Sequence, residues 1–99
     1  MQANFNHIIA ADTPVLVDFY ADWCAPCKMM TPILHELKKH TGDKLKIIKI
    51  NVDENPSVAA RYQVRSIPTV MLFKNGETKW SGIGVMQSNQ LLQVVQQYV

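Results

Sequence analysis

The sequence predicts an α/β fold, a three-layer sandwich in which helices cover both faces of a mixed four-stranded sheet. An almost continuous apolar run at 15–20 precedes a helical pattern and then a second strand pattern at 45–52, as in two parallel strands joined by a helix. Asn75-Gly76, a strong hairpin signal, separates strand patterns at 69–73 and 78–83. The sheet should therefore combine two parallel strands with an antiparallel hairpin.

The first half of the chain contains a short helix, a strand and a long helix. Apolar residues from Phe5 to Ile9 recur at helical spacing, and Thr13-Pro14 ends that helix. In the strand at 15–20 only Asp18 breaks the apolar pattern. The long helix begins near Pro26 and ends at Gly42, with one apolar face made by Cys27, Met30, Ile33, Leu34 and Leu37.

The second half adds a strand, a short helix, the hairpin and a last helix. The strand at 45–52 alternates lysines with aliphatic residues, and Asn55-Pro56 opens a helix through Tyr62 as cap and first residue. Ser88 is expected to cap the last helix. Four methionines are interpreted as core residues: Met29, Met30, Met71 and Met86. At 99 residues, we expect one domain over 1–99.

The two cysteines of the chain are the strongest functional signal. Both lie in Trp23-Cys24-Ala25-Pro26-Cys27, between the first strand and the long helix. Thiols three positions apart at the start of a helix lie on one face and can form and open a small disulfide ring. The turn lies at the carboxyl end of a strand, where open α/β sheets place their sites. The spacing therefore indicates reversible redox chemistry.

Charge and hydropathy exclude other classes of function. Ten Lys and Arg against eight Asp and Glu give a net charge of +2 without a basic stripe, so nucleic acid is not expected as a partner. No segment approaches the ~20 apolar residues of a membrane span, and no signal-peptide core is present. We expect a cytoplasmic protein.

These residues and their spacing resemble the thioredoxin family over nearly the whole chain. The matching segments follow in order: the stretch from Val17 to Met29, Pro32, the stretch from Asn51 to Pro56, Ile67-Pro68-Thr69, Phe73-Lys74-Asn75-Gly76 and Gly84. Two features depart from the family pattern. Cys24-Ala25-Pro26-Cys27 has alanine where the family usually has glycine, and the segment before Val15 is shorter, so the family's first strand is expected to be missing.

The resemblance implies unequal roles for the two cysteines. Cys24, at the helix amino terminus, is the attacking thiol, and Cys27 is the shielded thiol that resolves the mixed disulfide. Asp18 is implied as the proton acceptor that activates Cys27, with Lys49 as its partner. A structural hydrogen bond is the competing interpretation of Asp18.

The resemblance also implies a substrate groove around the cysteines. Its expected residues are Trp23, Ala25, Pro26, Ile67, Pro68, Gly84 and Val85. In the family the Ile67-Pro68 bond is cis, which turns the Ile67 backbone toward the cysteines.

The implied activity is protein-disulfide reduction by a monomer that binds no cofactor or metal. Electrons would come from NADPH through a flavin-dependent thioredoxin reductase, and disulfide-containing client proteins would be the substrates. Three alternatives stay open: a zinc site, which lacks the other two ligands such sites use; a non-catalytic interaction module; and an oxidant or isomerase, because the dipeptide between the cysteines influences the redox potential.

Overall fold

A computed structural model describes residues 2–99, with side chains from Asn4 onward. Its elements follow the predicted order: α1 (Gln2–Ile9), β1 (Val15–Tyr20), α2 (Ala25–Thr41), a 3-10 turn (Gly42–Lys44), β2 (Lys46–Asn51), α3 (Pro56–Arg61), β3 (Thr69–Lys74), β4 (Glu77–Ile83) and α4 (Ser88–Gln96). In this part of the chain no helix has the length and apolar character needed to cross a membrane.

The four strands form one mixed sheet in the order β2-β1-β3-β4. β1 pairs with β2 in parallel and β3 pairs with β4 in antiparallel orientation, as predicted. β1 also pairs with β3 in antiparallel orientation, a contact that was not predicted. Asp18 lies opposite Lys49 on one side and Val70 on the other. At the hairpin, Asn75 (φ 55°) and Gly76 (φ 83°) both have the positive φ of a tight primed turn.

Two apolar layers confirm the three-layer arrangement. On one face of the sheet, Phe5 and Ile9 of α1 and Val58 of α3 pack against Val17 and Phe19. The other layer contains apolar side chains of α2 and α4 together with alternate sheet residues: Leu16, Met30, Leu34, Leu37, Leu72, Leu91 and Val95. Alternation along β1 therefore places Asp18, two residues after Leu16, on the face covered by α2.

Two local predictions were wrong and a third was right in part. The N-cap of the last helix is Gln87, whose backbone N–H donates to Gln90 Oε1 at 2.9 Å, and Ser88 is already helical. Asn55 is the N-cap of α3, as predicted, but its side chain makes no capping hydrogen bond and donates instead to Asn51 O at 3.0 Å. Met29 is 58 % exposed, because it lies on the outer face of α2 beside the cysteines.

Candidate active site

Cys24 and Cys27 form a disulfide where β1 turns into α2. Their Cα atoms are 5.3 Å apart. Cys24 is the N-cap of α2, and its sulfur accepts a hydrogen bond from the Cys27 backbone N–H at 3.2 Å. Pro26 occupies the first turn, where its missing N–H costs no helical hydrogen bond. The helix amino terminus thus directs a backbone donor at the Cys24 sulfur.

The disulfide is covered, but the residues around it are exposed. Cys24 is 4 % and Cys27 2 % exposed, so burial alone does not distinguish the two sulfurs. Ala25 and Pro26 are exposed, and Trp23 is 71 % exposed. An apolar surface therefore surrounds a small reactive group, which suits the docking of another protein.

A turn after β2 fixes the exposed Trp23 ring. The indole N–H donates to the Asp53 carboxylate at 2.8 Å. Asn51, nearly buried, holds that turn by accepting from the backbone N–H groups of Asp53 (2.9 Å) and Glu54 (3.3 Å). Asp53 was not predicted as a site residue, although it lies in the stretch from Asn51 to Pro56 that matches the family pattern.

The loop before β3 forms the opposite wall. The Ile67-Pro68 bond is cis, as the resemblance implies. Ile67 O lies 3.9 Å from the Cys24 sulfur, and the Ile67 side chain packs against the two cysteines. Gly84, with a φ of 91°, donates its N–H to Pro68 O at 2.9 Å. Val85 is half-buried against the layer of α2 and α4.

Asp18 is fully buried under α2. Neither of its carboxylate oxygens has a hydrogen-bond partner among the described residues, so the structural hydrogen bond considered as an alternative is not found there. Burial raises the pKa of Asp18 from 3.8 to about 6, and the positive charge of Lys49 acts in the opposite direction. The ionised carboxylate is therefore destabilising in this position, which favours a functional reason for its presence.

Lys49 lies opposite Asp18 in the sheet but is not within ion-pair distance of it. Its ammonium donates to Thr31 Oγ1 at 3.3 Å and lies 4.6 Å from the centre of the Tyr20 ring. Lys49 therefore acts on Asp18 through space rather than by a direct hydrogen bond. Tyr20 and Thr31 were not predicted, because nothing in strand or helix periodicity marks a residue that positions a lysine.

A cavity of about 160 Å³ lies between Lys49 and the second cysteine, Cys27. Its lining includes Cys27, Lys49, Thr31 and Tyr20. Lys28, which follows the second cysteine, also borders it and is exposed. Cys27 and Lys49 therefore line the same cavity. Asp18 lies in β1, on the sheet face that α2 covers.

Comparisons with known proteins identify the family. A model of the thioredoxin family matches residues 1–97. Thioredoxin of Rickettsia prowazekii is 54 % identical over 87 residues, covering 88 % of this chain and 83 % of that protein. The M-type chloroplastic thioredoxin of pea, Pisum sativum, is 50 % identical over 92 residues, covering 93 % of this chain and 54 % of its own length. Among solved structures, a mutant thioredoxin from Halobacterium salinarum superimposes with a TM-score of 0.89 at 35 % identity, covering 99 % of this chain and 85 % of that one.

A redox disulfide at the amino terminus of a helix, on this sheet, defines a thiol–disulfide oxidoreductase. The chain belongs to the thioredoxin family. Protein-disulfide reduction is the activity consistent with that membership, and the family requires no bound cofactor.

Proposed function

We propose that this protein reduces client disulfides through a mixed disulfide on Cys24. The Cys24 thiolate attacks one sulfur of the client disulfide, so a new S–S bond forms and one client thiolate leaves. The Cys27 thiolate then attacks the Cys24 sulfur, which releases the second client thiolate and closes the Cys24–Cys27 disulfide. The client gains two electrons, and the cysteine pair loses two.

The position of Cys24 supports its role as the attacking thiol. As the N-cap of α2 it receives the Cys27 N–H and lies at the positive end of the helix dipole, both of which favour a thiolate. A thiol that ionises more easily is also a weaker nucleophile, so ionisation alone gives a modest gain. Positioning of the client and of Cys27 must therefore supply much of the rate.

Asp18 is proposed as the base for Cys27, and Lys49 as the group that tunes it. With a pKa of about 6, most Asp18 side chains are ionised at pH 7 and can accept a proton. Alternation along β1 places this carboxylate under the helix that carries Cys27. The lysine ammonium, which Thr31 and Tyr20 hold at the Cys27 cavity, favours the ionised form.

The client is proposed to bind as an extended peptide across the surface residues that surround the disulfide. Trp23, Ala25 and Pro26 supply apolar contact, while Gly84 and Val85 flank the far side. Ile67 O lies 3.9 Å from the Cys24 sulfur and can accept a hydrogen bond from the client. Pro68 follows this carbonyl directly and is itself buried, so it is proposed to support the Ile67 backbone from beneath rather than to contact the client.

The spent disulfide is proposed to be reduced by a flavin-dependent thioredoxin reductase that uses NADPH. A reductant of this kind operates where thiols are kept reduced, which favours the cytoplasm. The pea relative named above is described as chloroplastic, so members of the family are found in more than one compartment.

Single cysteine variants test the order of events. With an insulin-type disulfide substrate, purified thioredoxin reductase and NADPH, the unchanged protein should sustain NADPH oxidation. Cys27→Ser should stop turnover and accumulate a mixed disulfide on Cys24, because attack remains and resolution is lost. Cys24→Ser should give neither turnover nor adduct.

A mixed disulfide trapped on Cys27 in the Cys24→Ser variant, in the same yield, would contradict the assigned order. Reduction of the protein by dithiothreitol but not by the flavin enzyme would leave the exchange chemistry intact and contradict only the proposed electron source.

A further inference from the structure

Gly82, near the end of β4, is a glycine for reasons of space and not of backbone conformation. Gly76 and Gly84 have positive φ values of 83° and 91°, whereas Gly82 does not have a positive φ. A Cβ atom placed on Gly82 would lie only 2.6 Å from Trp80 Cη2 and 2.8 Å from Met86 Sδ. Glycine within a strand often marks such a close approach. The missing side chain therefore makes room for Trp80 and Met86.

The Trp80 ring lies across Gly82, because alternate residues of a strand face the same side of the sheet. Lys79 forms a bulge just before it, since Thr78 and Trp80 have partners in β3 and Lys79 has none. A bulge of this kind changes the direction of the neighbouring side chains. The Trp80 ring and the Met86 sulfur approach the same point above Gly82, near enough for a favourable sulfur–aromatic contact.

Met86 belongs to the 84–86 segment, which joins β4 to α4 and flanks the far side of the client surface. Gly84 attaches one end of this segment, since its N–H donates to Pro68 O at 2.9 Å. Without a Cβ and with a positive φ, Gly84 is also the point where the backbone turns most easily. The contact between Met86 and Trp80 restrains the other end.

We propose that Trp80 is a positioning residue for client binding: lying across Gly82 and against Met86, it fixes the 84–86 segment in the form that receives the client. The inference rests on the proposed function, because this segment flanks the proposed client surface. A client then meets a segment that is already ordered, so little binding free energy is lost in ordering it.

Trp80 should affect the binding of clients and not the exchange of disulfides. Among the residues that the structure describes, the apolar side chains packed around the two cysteines do not include Trp80 or Met86. Loss of an interaction made equally in the ground state and the transition state raises the half-saturating concentration and leaves the limiting rate unchanged. A disulfide too small to reach the 84–86 segment should therefore not respond to a change at Trp80.

Single-turnover reduction of insulin by the intact, pre-reduced protein tests the proposal. In Trp80→Ala the half-saturating insulin concentration should rise by about three- to tenfold, as expected when a segment must be ordered on binding. The limiting rate, and the rate with the small disulfide dithiobis(nitrobenzoate), should stay unchanged. Trp80→Phe keeps an aromatic ring over Gly82 and should restore most of the insulin binding.

Leu92→Ala is the matched control for loss of packing. Leu92 is half-buried in the same apolar layer as Trp80. It borders a cavity with His40 and Thr41 at the carboxyl end of α2, whereas the cysteines lie at the amino end. This variant should lower stability and leave the half-saturating insulin concentration unchanged.

Gly82→Ala disturbs the same contact without removing a side chain. Its methyl group would occupy the space of the ring, so the half-saturating insulin concentration should rise as in Trp80→Ala. Added to Trp80→Ala, it should have little further effect, because both changes act through one contact. Hydrogen exchange of the Gly84 amide should become faster in both single variants and much less so in Leu92→Ala.

The inference is overturned if Trp80→Ala and Gly82→Ala leave insulin binding unchanged, if Leu92→Ala weakens it equally, or if the small disulfide is slowed to the same extent. In these cases the unchanged protein still reduces insulin, and the proposed function stands. Failure of the unchanged protein to reduce insulin would instead contradict the proposed function itself.

Discussion

Among single residues, Asp18 should have the largest effect on the dependence of stability on pH. Burial raises its pKa to about 6 from 3.8, so between these pH values the folded protein binds more protons than the unfolded chain. The contribution of Asp18 to the free energy of unfolding is therefore greatest at low pH and is lost as the pH rises through about 6. A shift of this size corresponds to about 3 kcal/mol.

The variant Asp18→Asn should raise the free energy of unfolding by about 1–3 kcal/mol at pH 8 and by much less near pH 4, because the buried charge is removed. The gain stays below the about 3 kcal/mol that corresponds to the pKa shift, since the amide that replaces the carboxylate is still buried without hydrogen-bond partners. Denaturant titrations at the two pH values measure it, with the exposed Asp22→Asn as control.

The same variant should resolve the mixed disulfide more slowly. Lys49→Met should instead raise the pKa of Asp18 further and move the pH midpoint of resolution upward, because the charge that opposes the shift is lost. Stopped-flow release of a client thiol reports both. An unchanged resolution rate in Asp18→Asn would remove this carboxylate from the mechanism.

At the level of elements, α1 depends on a few aromatic contacts. Phe5 is buried and meets the Phe73 ring edge-on at 5.7 Å and the Tyr62 ring at 5.5 Å. The hairpin also donates to the end of α1 and the residues after it, from Gly76 N to Ile9 O and from Asn75 N to Ala11 O, both at 2.9 Å. Phe5 therefore connects the first helix to the centre of the sheet.

Replacing Phe5 by alanine should lower the free energy of unfolding by about 3–5 kcal/mol, the usual cost of deleting a buried aromatic ring. Thermal or chemical denaturation measures the loss. His7→Ala, on the exposed side of the same helix, is the control and should change stability by less than about 0.5 kcal/mol. A loss in Phe5→Ala no larger than that in His7→Ala would mean that ring packing does not hold α1 on the sheet, since alanine raises helix propensity at both positions.

The elements also show where sequence reasoning succeeds. Periodicity and turn residues predicted every helix and strand, because a run such as 15–20 or a pair such as Asn75-Gly76 restricts the backbone locally. The cap of α4 was predicted one residue too late. Both Ser88 and Gln87 are polar residues before an apolar helix, and only the backbone conformation, with the Gln87 N–H donating to Gln90 Oε1, identifies Gln87 as the N-cap.

At the level of the whole molecule, the direction of electron flow is the property to measure. A reductase should be half-reduced at a potential well below the about −180 mV of isomerases. Equilibration with mixtures of reduced and oxidised glutathione, followed by alkylation of free thiols, gives the value. A potential near the about −120 mV of a dedicated oxidant would contradict the proposed direction.

Ala25 is the natural place to test that potential, since it is the departure from the family pattern between the cysteines. It begins α2 and is exposed, so an Ala25→Gly variant changes no buried contact. Any difference in redox potential between the two proteins then results from the changed backbone of the turn that joins Cys24 and Cys27.

The sequence by itself determined the order of elements, the pairing of the hairpin and the redox character of Cys24 and Cys27, because each depends on residues close together in the chain. Only the tertiary structure decided that Lys49 is held by Thr31 and Tyr20 and that Trp23 is fixed by Asp53. These arrangements join residues up to 30 positions apart, for example Trp23 and Asp53, and local patterns carry no record of such contacts.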